Sequence, residues 1–279
     1  MNRTAGSEWE GRLGETWAGE WRRTDRSFSM LTERLLERSR EFAFASVLDI
    51  GCGAGELSLA IARGRPQARV LGVDISSDLV AAARERAQNL DNASFVLADA
   101  ARWQPPEGFA PDLLVSRHGV MFFAEPPAAF AHLHALAAPD ARMMFSCFRA
   151  SDENPWIGEL VRVLPASARP AGPPDPHEPG PFAFGERNHV EAILAQGGWR
   201  DLAFEAFDFG MVAGAGPDPV GDALDYFLSI GPAAAASGEL SDADRAAFAA
   251  NMRAMLETHL TDGLIVLRAA AWIVTAHKA

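Results

Sequence analysis

Two cysteines, Cys52 and Cys147, are all that 279 residues contain. They are too few for a disulfide framework or a zinc site. One lies in a glycine-rich bend and one in an apolar run, which points to a reducing compartment. Runs of consecutive basic residues are also missing. With 25 Lys and Arg against 37 Asp and Glu, the formal charge is −12. Holding a polyanion depends on clustered cations that displace its counterions, so no nucleic-acid partner is expected. The densest basic stretch, WRRTDR, carries Arg22, Arg23 and Arg26 and reads as a solvated helix face. Long apolar runs are scarce as well. The opening MNRTAGSEWEGRLGE has no signal-like core, and GLIVLRAAAWIVTAH is short for a membrane span and interrupted by Arg268. These absences together predict a cytoplasmic chain with no membrane partner and no metal.

What is present is ordinary globular material, 48% hydrophobic and 22% charged, enough for one α/β core with insertions. From Val47 onward strand and helix patterns alternate. SVLDI (46–50) leads into a helix from Glu56 to Arg63, ARVLGVD (68–74) into SSDLVAAARERAQNL, and SFVLAD (94–99) follows. DLLVSRHG (112–119), the helix PPAAFAHLHALA, ARMMFSCF (141–148), the helix HVEAILAQGG and DLAFEAFDF (201–209) continue the pattern. Short buried strands beside alanine-rich helices at this spacing are βαβ units on a parallel sheet.

We read a single domain over 1–279. Residues 1–45, with Trp9, Trp17 and Trp21, are expected as a helical cover and 46–148 as the ligand-binding core. Residues 149–187, which include the proline-rich LPASARPAGPPDPHEPGPFAFG, are expected as a long loop on the substrate side. Residues 211–262 form a helical insertion with two helices, PDPVGDALDYFLSI and SDADRAAFAANMRAMLETHL, the second opened by an S-x-x-D start. Its Phe248, Met252, Met255 and Leu256 read as a packing face. AAAWIVTAH (269–277) closes the sheet.

The bend VLDIGCGAGELSLAIA is the informative stretch. Glycines between a strand and a helix let a ligand touch the main chain, whatever the ligand. A dinucleotide fingerprint is G-x-G-x-x-G with the pyrophosphate on the helix N-terminus. Here Gly51, Gly53 and Gly55 give G-x-G-x-G, Asp49 precedes them and Glu56 occupies the first helical turn. Carboxylates at a positive helix end repel phosphate and favour a cation such as S-adenosylmethionine. Asp74 ends the second strand, suited to ribose hydroxyls of this nucleoside or of NAD. Asp99 is suited to an adenine amine, with Ile75 and Ala100 for the ring faces. Each acid alone reads equally as a cap of the next turn.

VLDIGCGAG, LGVDIS, FVLADA and DLLVSRHGVMFF resemble the successive motifs of the class I S-adenosylmethionine-dependent methyltransferases, the small-molecule kind related to the ubiquinone/menaquinone methyltransferases. The likeness covers about 46–148 well. It implies a Rossmann-like seven-stranded, mostly parallel sheet with the last strand antiparallel. It also implies Asp49, Gly51 and Gly53, with Cys52 between them, around the methionine part of the cofactor. Asp74 is implied for the ribose, Asp99 with Ile75 and Ala100 for the adenine, and S-adenosylhomocysteine as product. Ser116 borders the same site. The acceptor is expected to be a small molecule, methylated on O, N or C.

His118, at the end of the fourth strand, is the candidate base, because imidazole titrates near neutrality, or else a packing ring. Arg117 is a candidate to orient an anionic substrate, and Phe148 and Trp156 are candidate walls of a closed apolar chamber. His132 and His134 have no assigned role. A non-catalytic cofactor-binding or regulatory protein and an NAD(P)-dependent oxidoreductase remain as alternatives, and exchange of the N-terminal helix between subunits leaves a homodimer open.

Overall fold

The computed structural model describes Trp9 and residues 11–169, 175–238 and 240–279. Residues 1–8 and 10 of the expected cover, 170–174 of the expected loop and 239 of the expected insertion lie outside the described residues. Helices α1 (Arg12–Gly19), α2 (Trp21–Ser27) and α3 (Ser29–Ser39) precede the sheet. There follow β1 (Ser46–Ile50), α4 (Glu56–Gly64), β2 (Arg69–Asp74), α5 (Ser77–Arg86), β3 (Ala93–Leu97) and β4 (Leu113–Arg117). Next come α6 (Pro126–Leu136), β5 (Arg142–Phe148), α7 (Pro155–Val163), α8 (Arg187–Gln196) and β6 (Arg200–Gly214). The chain closes with α9 (Pro219–Ser229), α10 (Gly231–Gly238), α11 (Asp242–Glu257), β7 (Leu260–Thr261) and β8 (Leu264–His277).

The strands run in the order β3-β2-β1-β4-β5-β8-β6, with β7 added on β8. β1 to β5 pair in parallel, and β8 lies antiparallel between β5 and β6. The strand order reverses between β1 and β4, so the crevice beyond their carboxyl ends is the place for a ligand. Register brings the acids to that edge, with Asp49 beside Gly72 and Val115, and Asp74 beside Leu97.

The sheet is the expected seven-stranded one with an eighth, two-residue strand. β7 and β8 form a tight hairpin whose Asp262 and Gly263 have φ of 50° and 77°, the left-handed pair that Asp-Gly supplies to such turns. That hairpin starts the last strand at Leu264 rather than 269. β6 likewise continues to Gly214, because it stays paired to β8 as far as Ile265, so the insertion begins later than 211. It holds three helices instead of two, the third being the alanine-rich α10. In α11 the start is as read, with Asp244 N donating to Ser241 Oγ at 3.2 Å and Phe248, Met252 and Leu256 buried.

Two other expectations change. The segment 149–187 is not a plain loop, since α7, opened by Pro155 at its first turn, buries Trp156 and Leu160. Of the arginines of WRRTDR, Arg22 is exposed as read, but Arg23 and Arg26 do not belong to a solvated face. Arg23 Nε and Arg26 Nη2 reach Asp222 at 2.8 and 2.7 Å, and Arg26 also donates to the carbonyls of Val212 and Ala213. They pin α2 to β6 and α9, a long-range role that local charge pattern cannot reveal. Arg22 lies over the Trp21 ring at 4.3 Å. Among the described residues no helix is long and apolar enough to cross a membrane.

Asn154 fastens α7 to the sheet. It is fully buried, its Nδ2 donates to the carbonyls of Arg149, Ala150 and Ala270, and its Oδ1 accepts from Ala270 N at 2.9 Å and Trp156 Nε1 at 3.4 Å. Replacing it by Ala strands several buried groups, each costing about 1–3 kcal/mol when unpaired. We expect Asn154→Ala to lose about 2–4 kcal/mol in urea unfolding; a loss near zero would show that the amide does not join these segments.

Candidate active site

Between β1 and α4 the chain passes Gly51, Gly53 and Gly55 with φ of 61°, 54° and 85°, left-handed values that glycine takes without a Cβ penalty. Their surroundings differ. A Cβ on Gly51 would lie 3.0 Å from Gly119 Cα, and one on Gly55 would lie 3.0 Å from the Phe95 ring, whereas one on Gly53 would meet nothing within 4 Å. Protein packing therefore demands the outer two glycines. Gly53 is the one whose backbone faces open space, as a cradle for a ligand must.

Cys52 does not share that outlook. Its side chain is buried with Leu59, Val80, Ala83 and Phe95, and a Cβ on Gly72 would come 2.8 Å from its Sγ. Burial pushes the thiol up, so any ligand contact there is limited to its backbone.

The acids divide into two kinds. Asp74 braces the bend, with Oδ2 accepting from Gly53 N at 2.8 Å and Oδ1 from Ser76 N at 2.9 Å. Asp49 lies beneath it, accepting from Ser58 Oγ at 2.6 Å. Burial raises both carboxyls, Asp49 to about 7, and among the described residues neither forms an ion pair. Glu56 is different. Arg86 Nη2 stands 2.5 Å from it and 2.9 Å from Asp25, so the negative charge expected of Glu56 at the bend is already neutralised. Burial and the nearby Asp25 carboxylate still push the Glu56 carboxyl upward.

Beyond β2 and β3 a cleft of about 350 Å³ is lined by Ile75, Ser77, Leu97, Ala98 and Asp99. It joins Ile75 to Asp99 as the sequence reading required and adds Leu97, which is half exposed. Asp99 also makes the local bond of a turn cap, its Oδ1 accepting from Ala101 N at 2.9 Å. Ala100 is buried in the core and stands behind this lining.

At the end of β4, Ser116 is fully buried. Its hydroxyl donates to Ile50 O at 2.6 Å and accepts from Gly119 N at 3.1 Å, so it ties β1 to β4 and has no side-chain atom to spare. Arg117 Nη1 donates to Thr32 Oγ1 at 2.8 Å and Nη2 to Asp25 Oδ1 at 3.0 Å. It is held by the N-terminal helices rather than directed at a substrate.

His118 has φ 64°, unusual for a residue with a Cβ and characteristic of functional turns. Its Nδ1 is 3.3 Å from Ser146 Oγ, its ring stacks on Phe148 at 4.3 Å, and Phe28 meets its edge at 5.2 Å. Its Nε2 is buried with no hydrogen-bond partner among the described residues. Burial lowers the ring to about 3, which overturns the ground on which it was singled out: the imidazole is neutral across the physiological range instead of titrating within it.

Phe148 and Trp156 are buried together, 6.0 Å apart, with Phe182 and Phe227 beyond. His132 Nε2 lies 2.7 Å from Trp103 O and His134 packs edge-on to Trp199, both structural positions.

Sequence reasoning missed Asp25, Arg86, Phe28 and Ser58. Only the aromatic and charged character of residues 1–45 hinted at the first and third. Where described, the N-terminal segment packs on the residues after β4: Trp9 meets Trp17 at 5.8 Å and Phe122 at 5.2 Å. Gly14 sits so close to Ser76 that a Cβ would be 2.2 Å from its Oγ. Among the described residues no group of three or more His, Cys, Asp or Glu side chains could hold a metal ion.

The Asp49 carboxyl gives a pH test. Its folded-state pKa of about 7 lies above the ordinary 3.8, so the folded chain holds this proton more tightly, and stability falls as pH rises from about 4 to about 7. Asp49→Asn cannot ionise. Between pH 5 and pH 8 the variant should lose about 2–3 kcal/mol less stability than the parent in urea unfolding; parallel losses would show that the carboxyl is already charged at pH 5.

Comparison with known proteins agrees with this geometry. Residues 43–170 match the family model described as a methyltransferase domain. A trans-aconitate 2-methyltransferase of Paracidovorax citrulli is 36% identical over 119 residues, 43% of this chain and 45% of the relative. One of Variovorax paradoxus is 34% identical over 183 residues, 65% of this chain and 64% of the relative. Each alignment thus spans less than two thirds of the relative's length.

Among solved structures, the YcgJ protein of Bacillus subtilis superposes with a TM-score of 0.54 at 17% identity, covering 88% of this chain and 97% of that one. Phosphoethanolamine N-methyltransferase 2 of Haemonchus contortus, in complex with S-adenosyl-L-methionine, gives 0.54 at 15% identity, covering 94% of this chain and 56% of that one. At these identities they speak for the fold. The strand order, the glycine bend with acids at successive strand ends and the matched sequences together make residues 43–170 similar to a methyltransferase domain.

Proposed function

We propose that the protein transfers a methyl group from S-adenosylmethionine to a small molecule. The observation that carries this is the pair Asp49 and Asp74, two buried carboxylates beside an open backbone cradle at Gly53 with no cation bonded to either among the described residues. Burying charge without a partner is costly, and a positively charged guest offsets that cost where a diphosphate would add to it. In this reading Gly51 and Gly53 border the methionine part, with Cys52 contributing backbone only. Asp74 accepts from the ribose hydroxyls. Asp99 accepts from the adenine amine, with Ile75, Leu97 and Ala98 against the ring, Ala100 behind them, and Ser116 bracing the strands below.

The bound cofactor supplies an already activated methyl group on a positively charged sulfur. What remains for the chain is alignment and exclusion of water, which together can provide much of the acceleration. The rings of Phe28, Phe148 and Trp156 keep water from the region above β4. His118 faces that region with a neutral imidazole, either to take a proton from the acceptor or to pack against it. Arg117, through Asp25, holds the N-terminal cover closed.

The names of the curated relatives make a polycarboxylate one candidate acceptor, and the acceptor atom is O, N or C. The acidic balance and the two buried cysteines suit a cytoplasmic protein acting on small molecules without nucleic acid. A homodimer exchanging its N-terminal helices is read by sedimentation.

S-adenosylhomocysteine at a hundredfold excess over its dissociation constant should stabilise the protein by about 2.7 kcal/mol, seen as a rise in melting temperature. Asp74→Ala should abolish that rise. A shift produced by NAD or NADP instead would replace this reading with the oxidoreductase one. Cofactor binding with no S-adenosylhomocysteine formed across a broad acceptor panel would favour a non-catalytic binding protein.

A further inference from the structure

We propose that His177 and His189 form a proton-operated clasp, which at mildly acidic pH lets go of residues 175–182 and uncovers the aromatic rings beneath them. The clasp is separate from the cofactor assignment and does not depend on it.

It joins a strap to a helix. His177 lies in the strap that leads toward α8, and His189 is in the first turn of that helix. Their ring centroids are 3.7 Å apart, with the planes 12° from parallel. Two neutral imidazoles, or one neutral and one charged, can lie face to face at this distance, whereas two charged rings repel each other. A first proton on His177 is matched by Glu186, whose Oε2 is 3.5 Å from Nε2. A second proton, on His189, meets the charged partner ring across the stack.

The strap has little else to hold it. Pro176, Pro179 and Pro181 remove backbone donors. Among the described residues, its backbone tie to the rest of the fold is Gly180 N, which donates to Met121 O at 3.1 Å. Phe182 lies 5.7 Å from Phe148 and 6.1 Å from Trp156, so the strap is the outer side of that ring cluster. Beyond it the chain is fixed, because Phe184 is fully buried and a Cβ on Gly185 would lie 2.9 Å from Ala150 Cα. Release is thereby confined to the part before Ala183.

The charges acting on His189 are His177, Glu186 and Asp175. Burial and then His177 hold its pKa below the ordinary value against the two carboxylates. Arg187, on the same helix, is bonded to Glu191. On α6 and β6, which pack against α8, the charged groups have other partners. Glu205 is held by Arg34, Asp208 by Arg149 and Asp201 by His277. His132 meets Trp103 O, and His134 packs on Trp199 with Arg200 nearby. A lowered pKa means that the closed strap binds this proton less readily than the open one. Closure is therefore intact above the ordinary histidine pKa of ~6.5 and weakens as pH falls below it.

The test is hydrogen exchange of the full chain at pH 7.5 and 5.5, read as protection relative to unstructured peptides of the same sequence. One proton taken up on opening, at an ordinary histidine, makes opening about tenfold more frequent at pH 5.5. We expect protection of the Gly180 amide to fall about tenfold while β1 and β5 keep theirs. His189→Phe leaves a flat ring on His177 that cannot charge, and its protection should stay level between the two pH values. His177→Phe, as a second variant, should behave likewise. Protection in the parent that does not change with pH, a tenfold fall that persists in either variant, or protection lost in both variants already at pH 7.5 each overturns the clasp. The measurement uses no cofactor, so its failure is distinguishable from a failure of the methyl-transfer reading.

Discussion

Where β1 and β4 end, two backbones touch. Gly51 and Gly119 leave no room for a Cβ between them, and Ser116 stitches the same place by bonding Ile50 O and Gly119 N. This close approach at the reversal of strand order sets everything above it. It turns Gly53 outward, and it forces His118, one residue before Gly119, into a left-handed backbone held by its N–H to Ser146 O. The glycine bend and the His118 side chain are therefore parts of one joint.

Electrostatics around that joint is arranged in two layers. Below, Asp49 and Asp74 are buried and hydrogen-bonded, and among the described residues neither forms an ion pair. Above, Arg86 and Arg117 share Asp25, and Arg86 also takes Glu56. The arginines are thus used to fasten the N-terminal helices over the crevice, with Arg86 lying on the Trp21 ring at 3.8 Å. The carboxylates beneath are met by hydrogen bonds, with Arg117 near Asp49 but not paired to it.

How far this was readable from the sequence depended on how local each signal was. G-x-G-x-G after SVLDI announces its own left-handed turn, and Asp74 and Asp99 follow strands whose apolar runs are unmistakable. The S-x-x-D start of α11 and the proline opening α7 are equally local, although α7 was hidden inside a proline-rich stretch. Glu56 misled because its partner, Arg86, lies 30 residues away in sequence. Arg117 misled for the same reason, its acid Asp25 being 92 residues earlier. Cys52 and Ser116 were placed correctly along the chain but not in direction, since which way a side chain points in a bend follows from the backbone around it.

Sequence alone determined the alternation of strand and helix, the glycine conformation at the bend and the acids at strand ends, because those follow from period, propensity and short-range sterics. Tertiary structure decided which charges are neutralised, that the His118 ring is too desolvated to titrate near neutrality, and that β6 and β8 extend through their mutual pairing. Each of these is a property of contacts between segments far apart in the chain, and charge and burial take their meaning only once those contacts form.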